Sequence, residues 1–295
     1  MCDVLCALGP ATADGVTRFA KNSDRPPDEP QVVEWHPPRR EGSTRATYLE
    51  IPAVVETLGF LGSRPVWMWG VEHGVNEHGV AAGNATIYTT LDPRGHPDAL
   101  TGMDLVRLAL ERASTASAAV EVVTDLILAH GQGGSGHEGS ERPYWSSFLV
   151  ADPVAAFVIE TSGRTVAIEE VVRTRAISNR TTIPAFDAMH RHPRQPVETL
   201  VDPRWRASQA VLAAEPVTTE ALEAHLASHV GGTDGWTVCM HVDGPDHEER
   251  TNAALVVELP AEGAPIAHVT TGPPCTSRWH RIPVRPPDGV VANTR

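Results

Sequence analysis

The opening stretch MCDVLCALGP places a cysteine directly behind Met1. Removal of Met1 would leave Cys2 with an α-amine and a thiol on one residue. Cysteine attacks as the thiolate, and an unperturbed α-amine, with a pKa near ~8, can accept a thiol proton close to neutral pH. The pair is a nucleophile with its own base, the logic by which an N-terminal amine activates threonine. Such a site needs a group to orient the amine, donors for a tetrahedral oxyanion, and a cation to bias the local field. The run Lys21-Asn22-Ser23-Asp24-Arg25 supplies a cation and, in Asp24, a carboxylate to orient the amine. Asn84 and Asn179 close the apolar runs VAAGN and RAISN and are candidate donors.

The other reactive side chains have plainer readings. Cys6 falls in the first apolar strand and Cys239 in WTVCMHV, so both are expected to be core residues. Cys275 follows two prolines in a loop near Arg278. His73 and His78 flank a turn, but no HExxH pattern or cysteine cluster accompanies them, so a structural or solvated role is expected. His190, His192, His241 and His247 read as surface residues, and Arg25 and Glu248-Glu249 as ordinary solvated charges. Trp67 and Trp69 read as core or pocket wall. Gly131 to Gly136 lacks GxxxxGK[ST] and reads as a mobile loop that could act as a lid. No metal and no cofactor is expected.

These residues must be held by regular elements. Val4 to Leu8, the turn at Ala13-Asp14-Gly15 and the return Val16 to Ala20 predict an N-terminal hairpin that sets Cys2 beside Asp24. Residues 26–44, rich in Pro, Glu and Arg, read as a surface loop. Residues 66–88 predict two strands about a turn at Asn76-Glu77-His78-Gly79. In TGMDLVRLALERA the helical spacing begins at Thr101, with Asp104 three residues on as a capping box. ASAAVEVVTDLILAHG carries a second apolar stripe ending before Gly131. Strands follow at 147–151 and 155–161, and TVAIEEVVRTRAISN continues the pattern. Residues 183–203 read as irregular, with helices near 204–214 and 218–229, then strands in WTVCMHV, AALVVEL and AHVTTGPP. Strands, a helical middle and more strands predict an α+β fold with helices on antiparallel sheets, in one domain spanning 1–295.

Composition narrows the function classes. The apolar fraction of 41% suits a chain with a sizeable core. A net charge of −13 with no basic stripe argues against nucleic acid as a partner. No apolar run reaches membrane-span length, and residues 1–20 carry Asp3, Asp14 and Arg18 in place of a leader's apolar stretch. Four cysteines without CxxC pairing do not make a disulfide framework. A reducing, cytoplasmic setting is therefore expected, with a homo-oligomer compatible with the sequence.

The blocks MCD, FAKNSDRP (19–26), RPVWMWGVEHGVNEHGVAAGN (64–84) and GMDLVRLALER followed by AHGQGG (102–134) resemble the secernin and C69 dipeptidase family of N-terminal-nucleophile (Ntn) hydrolases. The similarity runs from residue 1 to about 180 and resumes at TTGPPCTSRWHRIPV (270–284). The resemblance implies an αββα sandwich of two antiparallel sheets between helix layers, cleavage of a carbon–nitrogen amide bond, and Cys2 as nucleophile. A sparser likeness to bile salt hydrolases and penicillin V acylases implies roles for five more residues. Asp24 would orient the amine, and Lys21 stands where those proteins carry arginine. Asn84 resembles their oxyanion asparagine, and Asn179 a second, structural or substrate-orienting one. Arg278 resembles an arginine that helps lower the thiol pKa. Ala85 follows Asn84 where relatives often place a glutamate, a partner for a substrate ammonium, so the resemblance speaks for an Ntn amide hydrolase more than for a dipeptidase. The expected function is hydrolysis of a small peptide or N-acyl amide through an acyl-cysteine thioester. An acyltransferase using the same acyl-enzyme and a non-catalytic, secernin-like binding protein are the alternatives.

Overall fold

Side chains of the first two strands alternate between two packing surfaces. In β1 (Cys2–Ala7), Cys2, Val4 and Cys6 enter one hydrophobic cluster while Leu5 and Ala7 enter another. β2 (Thr17–Arg25) does the same with Phe19 on one side and Ala20 on the other. A strand buried on both faces must lie inside a layered molecule, and the computed structural model, which describes residues 1–40, 45–244 and 248–285, has four layers.

After β1 and β2 come β3 (Gln31–His36), β4 (Arg39–Arg40), β5 (Glu56–Thr57), β6 (Phe60–Pro65), β7 (His73–Asn76) and β8 (Ala81–Ile87). The helices α1 (Gly102–Arg112) and α2 (Ala116–His130) precede β9 (Trp145–Ala151), β10 (Ala156–Ser162), β11 (Thr165–Glu170) and β12 (Thr174–Ile177). Next are α3 (Pro184–His190), α4 (Val197–Leu200), α5 (Asp202–Ala213) and α6 (Thr219–Leu226). The last strands are β13 (His241–Asp243), β14 (Glu248–Leu259), β15 (Ile266–Thr270) and β16 (His280–Pro283). One sheet has the order β12-β1-β2-β14-β15-β16, with β13 on β14. The other has the order β11-β10-β9-β8-β7-β6-β3, while β4 and β5 form a separate ribbon. The sheets face each other across the cluster that holds Cys2, Phe19, Val75, Leu149 and Leu255. α1 and α2 cover the outer face of the second sheet through Leu105, Leu108 and Ile127. α5 and α6 cover the first through Leu212, Leu222 and Leu226. The architecture is the expected αββα sandwich.

Local chemistry sets the element ends. Thr101 accepts from the Asp104 N–H at 3.1 Å and the Asp104 carboxylate accepts from the Thr101 N–H at 2.9 Å, completing the capping box of α1. In the β7–β8 turn the Asn76 side chain accepts from the N–H groups of His78 and Val80 and donates to the carbonyls of Leu110 and Ala113, so the turn satisfies the open C-terminal end of α1.

Three expectations need correction. The Pro-rich stretch 26–44 contains β3 and β4: β3 is the edge strand on β6, in register from Gln31 opposite Pro65 to His36 opposite Phe60, and an edge position tolerates flanking prolines. The stretch 183–203 contains α3 and α4. WTVCMHV becomes strand only at His241, because the positive φ at Gly231, Asp234 and Gly235 folds the preceding residues into turns.

Candidate active site

Cys2 begins the interior strand β1, opposite Ser23 of β2, with its side chain between the sheets and nearly inaccessible to solvent. Lys21, fully buried on the same face, brings Nζ to 3.5 Å from the Cys2 Sγ. Its path is fixed from the opposite sheet by Gly83 of β8, where a Cβ would stand 2.6 Å from the Lys21 Cδ. Behind Lys21, Glu72 Oε2 lies 3.4 Å from Nζ and Glu72 Oε1 lies 3.1 Å from Arg25 Nη1, and Arg25 is also paired with Glu29. Charges thus alternate from the thiol inward. Burial pushes the Cys2 thiol pKa up, while Lys21 and the terminal amine oppose the rise. Burial also works against the Lys21 charge, but Cys2 and Glu72 outweigh it and hold the ammonium above its usual range. Burial is likewise outweighed at Glu72, where Lys21 and Arg25 bring the carboxyl down to about 2.

The backbone nitrogen of Cys2 donates to Asn179 Oδ1 at 2.9 Å, and the same oxygen accepts from Arg204 Nη2 at 3.0 Å. Arg204, on α5, also donates to Asp3 Oδ2 at 2.7 Å with both side chains fully buried. Met1 extends β1 by one residue: its amine donates to the Asp24 carbonyl at 3.2 Å, its carbonyl accepts from the Asp24 N–H at 2.9 Å, and its ammonium pairs with Glu249. Asp24 Oδ1 accepts from the Thr251 hydroxyl at 2.6 Å. Its other oxygen is buried without a hydrogen-bond partner among the described residues. Burial raises the Asp24 carboxyl to about 6, against the pull of the terminal amine and Arg204. The register of β14 on β2 shifts between Thr251 and Ala253, a bulge that sits where Thr251 meets Asp24.

Cys2, Lys21, Asp24 and Asn179 therefore come together. Asn84 and Arg278 are placed elsewhere. Along β8, Ala81 and Ala85 face the other sheet and Ala82 faces the helices; Asn84 shares the helical face, with its nitrogen 3.4 Å from the Met103 Sδ of α1 and its oxygen buried without a partner. Arg278 is exposed between β15 and β16, and the arginine on the Asn179 oxygen that receives the Cys2 N–H is Arg204. Arg25 and Glu249, read as solvated charges, are both buried. Arg204, Glu72 and Thr251 had no local signal: each is drawn in by a partner distant in sequence. His73 is buried and structural in setting, and burial drives its pKa well down. His247 lies outside the described residues. A cavity of about 230 Å³ opens at this end of the sheets, lined by Met1, Thr86, Tyr88, Asn179, Trp236 and Glu249. No helix among the described residues is long and apolar enough to cross a membrane.

No family model matches the chain. Solved structures similar to it include two of the conjugated bile acid hydrolase of Clostridium perfringens. The first, its C2A mutant, is 12% identical with a TM-score of 0.59, covering 96% of this chain and 92% of that one. The second, the R18L variant, is 13% identical with a TM-score of 0.58, covering 95% and 92%. An N-acylethanolamine-hydrolyzing acid amidase ortholog from Caenorhabditis elegans aligns at 11% identity with a TM-score of 0.48, covering 86% and 91%. The two sheets, their order and their helical covers give this chain the fold of the Ntn hydrolases.

Proposed function

We propose that the chain, with Met1 removed, is an N-terminal-cysteine amide hydrolase of the secernin and C69 type, cleaving a small peptide or N-acyl amide. The observation that carries this reading is the Cys2 thiol, buried 3.5 Å from the Lys21 ammonium, with its main-chain nitrogen on Asn179, while the backbone of Asp24, whose second carboxylate oxygen is buried and unpartnered, holds the residue in front of it. Loss of Met1 releases the N–H and carbonyl of Asp24 and the Glu249 carboxylate, all of which Met1 holds.

In this mechanism Asp24 orients the new α-amine, which takes the thiol proton. The thiolate, stabilised by Lys21, attacks the amide carbon. A C–S bond forms and the carbonyl electron pair moves to oxygen. Asn179 commits one amide hydrogen to the Thr86 carbonyl at 3.0 Å, which leaves the other for the oxyanion. Each such donor is worth ~3–4 kcal/mol in the transition state. The ammonium then protonates the leaving nitrogen as the C–N bond breaks. Water, losing its proton to the amine, resolves the thioester to a carboxylic acid and restores the thiol. In this scheme Asn84 packs β8 against α1. The pairing of an α-ammonium with Glu249 in the cavity wall favours peptides with a free N-terminus over N-acyl amides.

The test is intact mass of untagged protein before and after iodoacetamide, followed by a matched panel of free-amine and N-acetylated peptides. Loss of Met1, selective alkylation of Cys2, turnover, and abolition of turnover in a folded Cys2→Ala variant are expected. Turnover surviving in Cys2→Ala would overturn the mechanism.

A further inference from the structure

Where β13 pairs with β14 in the first sheet, four side chains converge that the thiol chemistry does not use. His229 follows α6, Cys239 and His241 flank Met240 at the start of β13, and Cys275 lies in the loop between β15 and β16. One ligand atom from each lies within 4.8 Å of all the others. His241 Nε2 is 3.4 Å from Cys239 Sγ and 3.2 Å from Cys275 Sγ, and the rings of His229 and His241 stand edge to face at 5.1 Å. Both cysteines are free thiols.

Hydrogen bonding alone accounts poorly for this grouping. A ring nitrogen has one in-plane site, for a proton or for a lone pair, so Nε2 serves one sulfur at a time, and the other contact of the Cys239 thiol is with Cys275, which sets like groups together. A cation at the centre satisfies both sulfurs and both imidazoles together. Tetrahedral zinc, with Zn–S near ~2.3 Å and Zn–N near ~2.0–2.1 Å, separates its ligands by about 3.4–3.8 Å. The two sulfur–nitrogen separations, 3.4 and 3.2 Å, lie close to that spacing. Two thiolates with two imidazoles are the donor set of structural zinc, and softness and geometry together disfavour magnesium and calcium.

We propose that His229, Cys239, His241 and Cys275 bind one zinc ion in a closed structural site. Binding forms two Zn–S and two Zn–N bonds and releases the two thiol protons to solvent, with no change of oxidation state. All four positions come from the protein, so none is open for a water nucleophile. The ion fastens a segment, 227–240, that otherwise holds itself by turn hydrogen bonds such as Val238 N–H to Val230 O and Cys239 N–H to Ser228 O. That segment reaches the candidate active site. Asn22 donates to the carbonyls of Leu226 and Val238, and the Met240 N–H donates at 2.8 Å to Thr251 Oγ1, which holds Asp24. Zinc therefore acts on the catalytic carboxylate at a distance, by fixing the loop behind Thr251.

The experiment uses the full chain in a Cys2→Ala background, so that the nucleophilic thiol contributes no metal signal. Protein grown with zinc and dialysed is expected to hold one zinc per chain by elemental analysis, Cys275→Ser to fall to the blank, and Cys6→Ser to keep its zinc. Zinc should raise Tm and a chelator should lower it. Because Cys239→Ser could fail to fold, Co²⁺ titration of the unaltered site decides independently: a thiolate-to-cobalt charge-transfer band with intense tetrahedral d–d bands is expected. Weak octahedral bands alone, zinc at blank level with Tm unmoved, or a Cys239–Cys275 disulfide in protein purified without reductant would each overturn the proposal.

Discussion

At Asp24 function and stability pull in opposite directions. Its folded pKa, about 6, stands above the ~3.9 of an unfolded aspartate, so the native state binds the proton more tightly. The stability this group contributes is complete below pH ~4 and is lost as pH rises through about 6. At neutral pH the fold holds a buried carboxylate with one oxygen on Thr251 and the other unpaired. Asp24→Asn should therefore be more stable than the wild type above pH 6, by on the order of 2 kcal/mol, with the two converging below pH 4. Activity should fall ~10²-fold or more, since the amine loses its orienting charge, and the acidic limb of the pH–rate profile near 6 should disappear. Denaturant melts at three pH values and a pH–rate profile check both halves; an unchanged rate would remove Asp24 from the mechanism. The same pairing of roles shows why residue types alone located part of the site. Cys2, Lys21 and Asp24 share one hairpin, so their proximity follows from local register. Arg204 sits in DPRWRAS, which reads as an ordinary helical surface; only Asp3, 201 positions away, makes it a buried cation. The short motif TSRWHR offered Arg278 for that role, and no local signal distinguished the two arginines.

Among the elements, the meeting of β2 and β8 carries the sharpest constraint. β2 is hydrogen-bonded between β1 and β14, and β8 between β7 and β9, so neither backbone can retreat. A Cβ at Gly83 would press on Lys21 Cδ at 2.6 Å. Gly83→Ala should thus displace the ammonium from the thiol, cutting kcat by ~10–100-fold while costing ~1–3 kcal/mol of stability. The pH profile of Cys2 alkylation should move upward. Lys21→Met should produce the same shift, and the double variant should be no worse than the worse single one. Additive losses would show that Gly83 acts otherwise than through Lys21. Elements built from local rules were legible in advance: the β1–β2 hairpin, the capped α1, and the stripe of α2. β3 was not, because its strand character comes from pairing with β6 and its flanks are Pro-rich. WTVCMHV has the composition of a strand, yet the turns at Gly231 to Gly235 bend it toward Cys275.

For the whole molecule, the Asp3–Arg204 pair ties the outer helix α5 to the interior strand β1 with no solvent on either side. Removing one partner of a buried pair leaves an uncompensated charge and typically costs ~3–5 kcal/mol. Arg204→Ala should lower stability by that amount. If 1–295 is one folding unit, sharing one core between its sheets, calorimetry of wild type and variant should each give one transition with equal calorimetric and van't Hoff enthalpies. Two transitions would divide the chain.

The sheet order also has a consequence in time. The N-terminal strand is enclosed by residues far downstream: β12 beside it, then Asn179, Arg204 and finally Glu249 at the Met1 amine. A ribosome adding ~5–20 residues per second takes roughly 10–50 s to travel from Cys2 to Glu249. Once the first residues clear the exit tunnel, they spend the rest of that interval with no sandwich to close over them. On the proposed removal of Met1, an aminopeptidase therefore meets an open end during synthesis and afterward a half-buried one, held by Asp24 and Glu249 on the cavity wall, so the strand order favours trimming before the sandwich closes.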